Sequence, residues 1–320
     1  MWAEEPVSFV EGPVGVRVPA TSANLGPGFD VLGLALSLYD DVVAEVLSPE
    51  VGDPEITVEG EGAGEVPLDD THLVHRAMCA AFQAMGVTPP RLRLLCRNEV
   101  PHGRGLGSSS AAIVSGLWAA RALVVGGPER WSDHALFELA ARIEGHPDNV
   151  APAVFGGLTL AYEADAQYQV VRLSVRPDVE PMVLVPDHPM ETEVARGLLP
   201  TTVSHADAVF SSARVALLVA ALTGTDSAAG AVGIDVLVAA SEDRLHQPYR
   251  TEAMPETMAA VADLRAAGVP AMLSGAGPSV LALAGPGQAE VVAAHLPDGW
   301  RLRELGVDAE GVRDHADTPG

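Results

Sequence analysis

The sequence predicts an α+β fold in two lobes, from three observations. The chain has 320 residues, enough for two ordinary domains; strand and helix patterns mix without regular βαβ units; and the pattern starts again near residue 169. We therefore expect an N-terminal domain over residues 1–165 and a C-terminal domain over residues 166–320. Because 48% of residues are hydrophobic and only 4% are aromatic, the core must consist mostly of Ala, Val and Leu.

In the first half of the chain, alternating apolar residues predict strands and helical spacing predicts helices. The strands are expected at residues 15–20, 41–47, 55–59, 91–100 and 158–162, and residues 31–38 form an apolar stretch. The helices are expected at residues 71–85, 111–119 and 131–144. Ser132 is the expected N-cap of the last of these helices, because its hydroxyl can accept a hydrogen bond from a free backbone N–H group.

The same patterns continue in the second half. Further strands are expected at residues 170–175, 182–185 and 280–283. Further helices are expected near Glu191 and at residues 207–223, 234–242 and 255–267. The tail after Val307 is polar, so we expect it to fray.

The charge balance excludes some partners. The chain carries 43 acidic residues against 19 basic ones, all of them Arg, for a formal net charge of −24. Such a surface repels nucleic acid and anionic membranes, so neither is an expected partner. Solubility or adaptation to salt explains the acidity equally well. No basic segment precedes an apolar one near Glu4 and Glu5, so we expect no signal peptide and a cytoplasmic protein.

The two cysteines, Cys79 and Cys96, lie in apolar segments, so we expect them to be buried free thiols.

The glycine-rich run that ends in three Ser residues, within residues 101–112, predicts an anion site. Glycine lets backbone N–H groups turn toward one point, and the N-terminus of the helix that follows adds partial positive charge there. Phosphate is the usual occupant of such a site. A chain without lysine cannot form a Walker A loop, so backbone N–H groups, hydroxyls, a metal and Arg would have to hold the phosphates. The alternative is a serine-rich turn before a core helix.

Other polar groups fall in three places. Asn24 and Asp30, in a loop rich in Gly and Pro, could bind a substrate ammonium or hydroxyl, or could simply form a turn. Arg196 and Arg244 could hold a carboxylate bidentately. A second glycine-rich turn at residues 274–279 would form either a hairpin or a second backbone wall near the phosphates.

The helix at residues 131–144 and the turn after it carry the remaining candidates. Glu138 could hold Mg²⁺ if it faces the glycine-rich run, because Mg²⁺ keeps several waters and needs few protein oxygens. His146, Asp148 and Asn149 crowd onto a short turn, where functional residues are often displayed. His146 alone could equally cap the helix.

These segments together resemble one known family over nearly the whole chain. They are residues 19–33, 101–112, 145–157, 242–250 and 273–285. The run at 101–112 resembles the ATP-binding motif of the GHMP kinases, which phosphorylate galactose, homoserine, mevalonate and phosphomevalonate. The segment at 19–33 and the His-Pro-Asp-Asn-Val-Ala-Pro-Ala motif at 146–153 are similar to those of the family's homoserine kinases.

The resemblance implies a fold and an activity. The implied fold has an N-terminal domain like domain 2 of ribosomal protein S5 and a ferredoxin-like C-terminal domain, and family members commonly form homodimers. The implied reaction is ATP-dependent phosphorylation of the side-chain hydroxyl of L-homoserine, a step toward threonine. The alternatives are a GHMP kinase of another small alcohol and a non-catalytic sensor on the same fold.

The resemblance also implies roles for individual residues. The residues implied to wrap the ATP phosphates are Pro101, His102, Gly103, Arg104, Gly105, Leu106, Gly107, Ser108, Ser109, Ser110 and Ala111, where the family more often has Ala at the position of Ser110. Ser109, with Ser108 as an alternative, and Glu138 are implied to hold Mg²⁺. The residues implied to bind homoserine are Asn24, Asp30, His146, Asn149, Arg196 and Arg244.

Asp148, Asn149 and Arg196 form the implied catalytic set. In this assignment Asp30 pairs with the homoserine ammonium, the two arginines pair with its carboxylate, and Asn149 contacts the hydroxyl. Asp148 acts either as a general base or by orienting Asn149 and His146, and phosphoryl transfer can proceed with little base assistance.

Overall fold

The computed structural model describes residues 8–190, 192–224, 226–227, 230–231 and 235–315. Within these residues a seven-stranded sheet forms the first lobe. Its strands are β1 (Val14–Ala23), β2 (Leu32–Ser48), β3 (Glu55–Gly60), β4 (Arg91–Asn98), β5 (Leu158–Ala164), β6 (Gln167–Leu173) and β13 (Arg313–Asp314). The order is β13-β1-β2-β4-β3, with β5 paired to β2 and β6 paired to β5. The pairs are antiparallel, except that β3 runs parallel to β4.

Helices complete the core of the first lobe. They are α1 (Leu73–Ala84), α2 (Ser108–Leu123), α3 (Gly127–Arg130), α4 (Asp133–Glu144) and α5 (Val150–Phe155). Helix α2 is buried along most of its length, because its small residues let α1 approach closely. A Cβ atom at Gly116 would lie 2.5 Å from the Val74 carbonyl oxygen. As predicted, Ser132 caps α4 by accepting a hydrogen bond from Ala135 N at 3.2 Å.

The second lobe has a four-stranded antiparallel sheet. Its strands are β7 (Glu180–Val185), β10 (Ala271–Leu273), β11 (Val280–Ala284) and β12 (Arg301–Glu304), in the order β10-β11-β7-β12. Counted along the chain this order is 2-3-1-4, which confirms the expected ferredoxin-like arrangement. The remaining elements are α6 (Thr192–Gly197), α7 (His205–Thr223), β8 (Asp226–Ser227), β9 (Gly230–Ala231), α8 (Asp235–Ala240), α9 (Gln247–Arg250), α10 (Pro255–Ala266) and α11 (Ala289–Ala294).

Strand β2 joins the two lobes. The sequence predicts a strand at 41–47 after an apolar stretch at 31–38, and the structure has one continuous strand over both. Asp40, which lies between the two, stays in the strand because its Oδ1 accepts a hydrogen bond from Val100 N at 2.9 Å. The first part of β2 packs into a core shared with the second lobe, and the later part packs into the core of the first lobe.

The predicted domain boundary at residue 165 lies in the turn between β5 and β6. Because β6 pairs with β5 along its whole length, it belongs to the first sheet. The sheet pairing therefore favours a crossing into the second lobe between Leu173 and Glu180.

The predicted fraying after Val307 is wrong as far as His315. Strand β13 pairs with β1, and Asp308 Oδ1 accepts a hydrogen bond from Gly311 N at 2.7 Å. Cys79 is half-buried and Cys96 is buried, and both are free thiols. The short elements α3, α5, α9, α11, β8, β9 and β12 were not predicted. The predictions for Glu4, Glu5, Glu191 and residue 234 lie outside the described residues.

Candidate active site

Three left-handed glycines shape the glycine loop, residues 101–107, between β4 and α2. Gly103, Gly105 and Gly107 have φ values of +63°, +71° and +72°. A Cβ atom at Gly105 would lie 2.2 Å from the Ser274 carbonyl oxygen, and one at Gly107 would lie 1.9 Å from Thr21 Oγ1. Glycine is therefore required both by the backbone conformation and by the close approach. The loop delivers the chain to the N-terminus of α2, where N–H groups without intrahelical partners can bind an anion.

Two cavities meet at Ser108 and Ser109, which line both of them. The lobe cavity, of about 390 Å³, lies between the two lobes. The N-terminal cavity, of about 310 Å³, lies within the first lobe. A ligand that crosses the N-terminus of α2 could therefore occupy both cavities.

The predicted phosphate-wrapping residues divide into groups. Gly103, Gly105 and Gly107, with both serines, line the lobe cavity, and His102 lines the N-terminal cavity. The side chains that pack inward are those of Pro101, Leu106, Ser110 and Ala111. Arg104 instead reaches the second lobe, where its Nε donates to the Pro186 carbonyl at 3.0 Å.

Asn24 holds the turn that carries Asp30. Its Nδ2 donates to the Gly275 carbonyl at 2.9 Å, and its Oδ1 accepts from Asp30 N at 2.9 Å. Both residues have left-handed φ values, of 69° and 57°. Such strained non-glycine conformations cluster at functional sites. Asn24 lines the lobe cavity while it fixes these two segments.

Asp30 and Arg196 form a bidentate ion pair at the mouth of the lobe cavity, with N–O distances of 2.7 and 3.2 Å. Both side chains are about one-third exposed, at 36% and 37%. The predicted assignment gave Asp30 to a substrate ammonium and Arg196 to a substrate carboxylate. The structure pairs them with each other, and so places adjacent charges of the two signs that a zwitterion requires.

The structure does not bring Arg244 to the lobe cavity, because its guanidinium lies against another part of the second lobe. The guanidinium carbon lies 3.8 Å from the centre of the Phe210 ring, and Nη1 lies 3.5 Å from Asp207 Oδ1. Arg250, six residues later, lines the lobe cavity and is only 1% exposed. The arginine of the 242–250 segment that reaches the lobe cavity is therefore Arg250.

Neutral groups hold the Arg250 guanidinium. Its Nη1 donates to the Gly275 carbonyl at 3.1 Å and to His246 Nδ1 at 3.0 Å. His246 donates its Nε2 proton to the Gly26 carbonyl at 2.7 Å, which leaves Nδ1 free to accept. Burial lowers the pKa of His246 to about 4, so the ring is neutral at pH 7.

Burial, with the nearby charge of Arg196, lowers the pKa of Arg250 to about 10, so its guanidinium stays protonated at pH 7. A buried cation is costly unless an opposite charge lies close to it. The carboxylates of Asp30, Asp243 and Asp148 already offset part of this cost by raising the pKa of Arg250. An anionic group in the lobe cavity would add a further opposite charge.

His146, Asp148 and Asn149 form one hydrogen-bonded turn. Asp148 Oδ1 lies 2.8 Å from His146 Nδ1 and accepts from Asn149 N at 3.0 Å. Asn149 Oδ1 accepts from Thr21 Oγ1 at 2.8 Å. Burial lowers the pKa of His146, but the hydrogen bond and charge of Asp148 outweigh it, so the pKa is raised overall. The structure brings all three predicted residues to the lobe cavity.

The carboxylate that faces the serines is Glu144, and the structure does not bring Glu138 to them. Glu144 accepts from Ser109 Oγ at 2.9 Å and from Ser110 Oγ at 3.0 Å. Glu138 instead accepts from Tyr168 N at 2.7 Å and pairs with Arg142. The two glutamates are six positions apart on α4, so they lie on different faces of the helix.

Sequence reasoning missed Arg250 and Glu144, although weak signals existed. Arg250 ends the 242–250 segment, and Glu144 is the last helical residue before the left-handed Gly145. Both signals concern position along the chain, and only the fold shows which way the side chain points.

Two family models match the chain. The model described as GHMP kinases N terminal domain matches residues 72–157, and the model described as GHMP kinases C terminal matches residues 229–302.

Curated relatives match nearly the full length. A homoserine kinase of Streptomyces avermitilis is 49% identical over 305 residues, which cover 95% of this chain and 96% of the relative. A homoserine kinase of Clavibacter michiganensis is 51% identical over 303 residues, which cover 93% and 92%.

Solved structures share the fold. A homoserine kinase from Cytophaga hutchinsonii superimposes with a TM-score of 0.82 at 25% identity, covering 98% of this chain and 100% of that chain. A mevalonate kinase from L. major matches with a TM-score of 0.69 at 15% identity, covering 96% of this chain and 99% of that chain, which is a likeness of fold alone.

Proposed function

Because this chain belongs to the homoserine kinases of the GHMP kinase family, it is an ATP-dependent kinase of L-homoserine, and we propose how its residues divide that work. The observation that carries the proposal is the meeting of two cavities at the N-terminus of α2. Homoserine would bind in the lobe cavity, and the nucleotide would extend from the N-terminal cavity across Ser108 and Ser109.

The charges of the lobe cavity match homoserine. Arg250 and Arg196 supply cationic groups for the carboxylate, and Asp30 supplies an anionic group for the ammonium. Arginine binds carboxylates bidentately, which fixes orientation as well as affinity. Asn149, held by Thr21 and Asp148, lies in the same cavity for the hydroxyl.

The N-terminal cavity suits a nucleoside. Apolar side chains such as Val66, Leu73 and Val74 line it, together with the polar groups of Asn98 and His72. A mostly apolar wall with a few polar groups is typical of small-ligand sites. The loop glycines and the N-terminus of α2 would then hold the phosphates through backbone N–H groups.

The transfer itself requires positioning and charge stabilisation more than covalent chemistry. The homoserine hydroxyl oxygen forms a bond to the γ-phosphorus, and the bond from that phosphorus to the β–γ bridging oxygen breaks. The hydroxyl proton passes to a phosphoryl oxygen. We assign Asp148 to orientation, because its Oδ1 is already shared between His146 and Asn149 N.

The residues near the phosphates fit Mg²⁺. Ser109 Oγ and Glu144 Oε2 are hard oxygen donors 2.9 Å apart, and Mg²⁺ commonly takes its other ligands from water and substrate phosphates. Among the described residues, no three His, Cys, Asp or Glu side chains cluster to hold a metal alone. When bound, the ion would neutralise charge on the transferring phosphoryl group.

Two further expectations remain predictions: a cytoplasmic location and a homodimer. One described helix, α7, is long and apolar enough to cross a membrane by length and composition. Its buried residues are Ser211, Leu218, Ala221 and Leu222.

A substrate panel tests the proposal. Purified protein is incubated with ATP and Mg²⁺ and with homoserine, mevalonate or galactose, and ADP release is followed for each. We expect turnover with homoserine and at least tenfold lower kcat/KM for mevalonate and galactose. Neither of these two carries an ammonium and a carboxylate together. Equal or higher kcat/KM with mevalonate or galactose would overturn the substrate assignment, and tight ATP binding without turnover of any alcohol would overturn the kinase assignment.

A further inference from the structure

Arg104 is a residue of the glycine loop whose side chain points away from both cavities. Although it lies between two left-handed glycines of the glycine loop, it lines neither cavity described above. Its Nη1 donates to the His102 carbonyl at 2.9 Å, within its own loop. Its Nε donates to the Pro186 carbonyl at 3.0 Å, and its Nη2 donates to the Asp187 carbonyl. One guanidinium therefore bonds to carbonyls of both lobes.

The segment that Arg104 reaches, residues 186–190, connects β7 to α6. It touches the loop at further points: Met190 N donates to the Gly103 carbonyl at 2.9 Å, and a Cβ atom at Gly103 would lie 3.1 Å from Pro189 Cβ. Pro189 and Met190 also line the lobe cavity. Loop and segment are thus held together by both side-chain and backbone hydrogen bonds.

The same segment leads directly to the substrate side. Helix α6 begins at Thr192 and carries Arg196, which pairs with Asp30. The carbonyl of Ala195 in α6 accepts a hydrogen bond from Arg250 Nε at 3.4 Å. A shift of the 186–190 segment would therefore move α6, which carries Arg196 and bonds to Arg250.

We propose that Arg104 is a positioning residue that couples the two substrates, by fixing the glycine loop, which the nucleotide contacts, to the 186–190 segment, which sets Arg196 and α6. This inference rests on the proposed function. A guanidinium suits the role because its planar fork can satisfy several carbonyls at once in a fixed geometry. Its direction, away from both cavities, distinguishes it from a phosphate ligand.

Coupling has a defined measurement. If each substrate raises the affinity of the other by a common factor, that factor is the coupling between the sites, and factors of about 5 to 150 are typical. The dissociation constant of the non-hydrolysable analogue AMP-PNP, with Mg²⁺, is measured by calorimetry without and with saturating homoserine. The ratio of the two constants is the coupling factor.

Three variants separate the possible roles of the side chain. Arg104→Met keeps the apolar stem and removes the bonds to both lobes. Arg104→Lys keeps the charge and can donate to only some of the carbonyls. Arg104 and Arg303, which lies on β12, both line a third cavity that also contains Glu61 and Glu65. Arg303→Met removes a positive charge from that third cavity and is the matched control.

We expect wild-type protein and Arg303→Met to share one coupling factor of about fivefold or more. Arg104→Met should reduce it to below twofold and raise the KM for homoserine, while its AMP-PNP affinity without homoserine changes less than twofold. The coupling factor of Arg104→Lys should fall between those of the wild-type protein and Arg104→Met. A merely structural residue would not show this graded coupling factor.

Three results would overturn the inference: a wild-type coupling factor near one, an unchanged factor in both Arg104 variants, or a tenfold loss of AMP-PNP affinity in the absence of homoserine. The last would make Arg104 a phosphate ligand. If Arg104→Met does not fold, as judged by circular dichroism, the factor measured for Arg104→Lys decides. Failure of the proposed function would appear separately, as absent homoserine turnover in the wild-type protein.

Discussion

The two cavities that meet at α2 are built in different ways. The N-terminal cavity is lined within one lobe by residues between Asp40 and Ser115, and the glycine loop where the two cavities meet offers mainly backbone groups. The lobe cavity collects side chains from segments as distant as Asn24 and Arg250, and its charged groups include Arg196 and Arg250. A backbone site is therefore tied to one continuous motif, whereas a side-chain site depends on how the whole chain folds.

The largest expected effect tests the backbone site. Gly107→Val should lower kcat/KM for ATP by at least about 100-fold, the scale seen when a single preorganised donor is lost. The introduced Cβ atom would overlap Thr21 Oγ1 at 1.9 Å, and a β-branched residue disfavours the left-handed φ.

The matched control for this prediction is Gly64→Val. Gly64 has a similar φ of +79° but nothing within 4 Å of the added atom, so it imposes the same backbone strain without the contact. Steady-state kinetics and AMP-PNP titration on both folded variants provide the comparison. Equal kcat/KM in the two variants would show that close approach at Gly107 is unimportant.

The next effect compares two carboxylates on α4. Glu144→Gln should lower kcat by about 100-fold, because it removes an anionic oxygen beside Ser109 that we assign to Mg²⁺. Glu138→Gln should change kcat by less than about threefold, because Glu138 contacts Tyr168 N and Arg142 instead. Turnover is measured as a function of Mg²⁺ concentration. A larger loss of kcat in Glu138→Gln than in Glu144→Gln would instead assign the Mg²⁺ ligand to Glu138.

A third comparison concerns the arginines of the second lobe. Arg250→Met should raise the KM for homoserine by about tenfold or more, since a hydrogen bond to a charged group contributes roughly 1.5–3 kcal/mol. Arg244→Met should leave that KM within about twofold, because Arg244 lies on Phe210. AMP-PNP affinity, measured in parallel, should be unchanged in both. A larger KM effect from Arg244 would contradict the structural assignment.

The smallest expected effect on turnover is that of Asp148→Asn. If Asp148 orients Asn149 and His146, the variant should raise the homoserine KM several-fold and keep the pH dependence of kcat. A general base would instead cost about 10²–10⁴ in kcat and remove the low-pH limb of the profile. The kcat and KM profiles across pH therefore distinguish the two roles.

The same variant predicts a pH-dependent stability. The pKa of His146 is raised above its ordinary value of 6.5 in the folded protein, so the pair with Asp148 stabilises the fold fully below pH 6.5. That contribution is lost as the pH rises through the folded pKa. The Tm difference between wild type and Asp148→Asn should therefore be larger at pH 5.5 than at pH 8. A difference that grows with pH would contradict the pairing.

The difference between the cavities also explains what the sequence could predict. The glycine loop, the serines and the turn at 146–149 lie at the two cavities, as glycine spacing and a following helix predict, and their roles stay predictions. The sequence indicates Arg244 and leaves out Arg250, six residues later in the same segment. Only the local fold around α9 buries the second and exposes the first.

Other misses have a similar cause. Choosing Glu138 over Glu144 required the direction of each side chain from α4, which depends on how α4 packs against α2 and β6. Strand β2 extends well before the predicted start at residue 41, because the backbone N–H groups of Glu99 and Val100, just after β4, donate to the Asp40 carboxylate. Polarity alone cannot show this.

At β13 the chain returns from the second lobe to the first. Strand β13 adds to the edge of the first sheet after the chain has completed the second lobe, so the second lobe is an insertion between β6 and β13. Asp308 ties this end in place by accepting from Tyr39 Oη at 2.9 Å and pairing with Arg313 at 3.0 Å. The two lobes also share a core, so neither lobe can unfold without exposing apolar side chains of the other. Heating should therefore give one cooperative calorimetric transition.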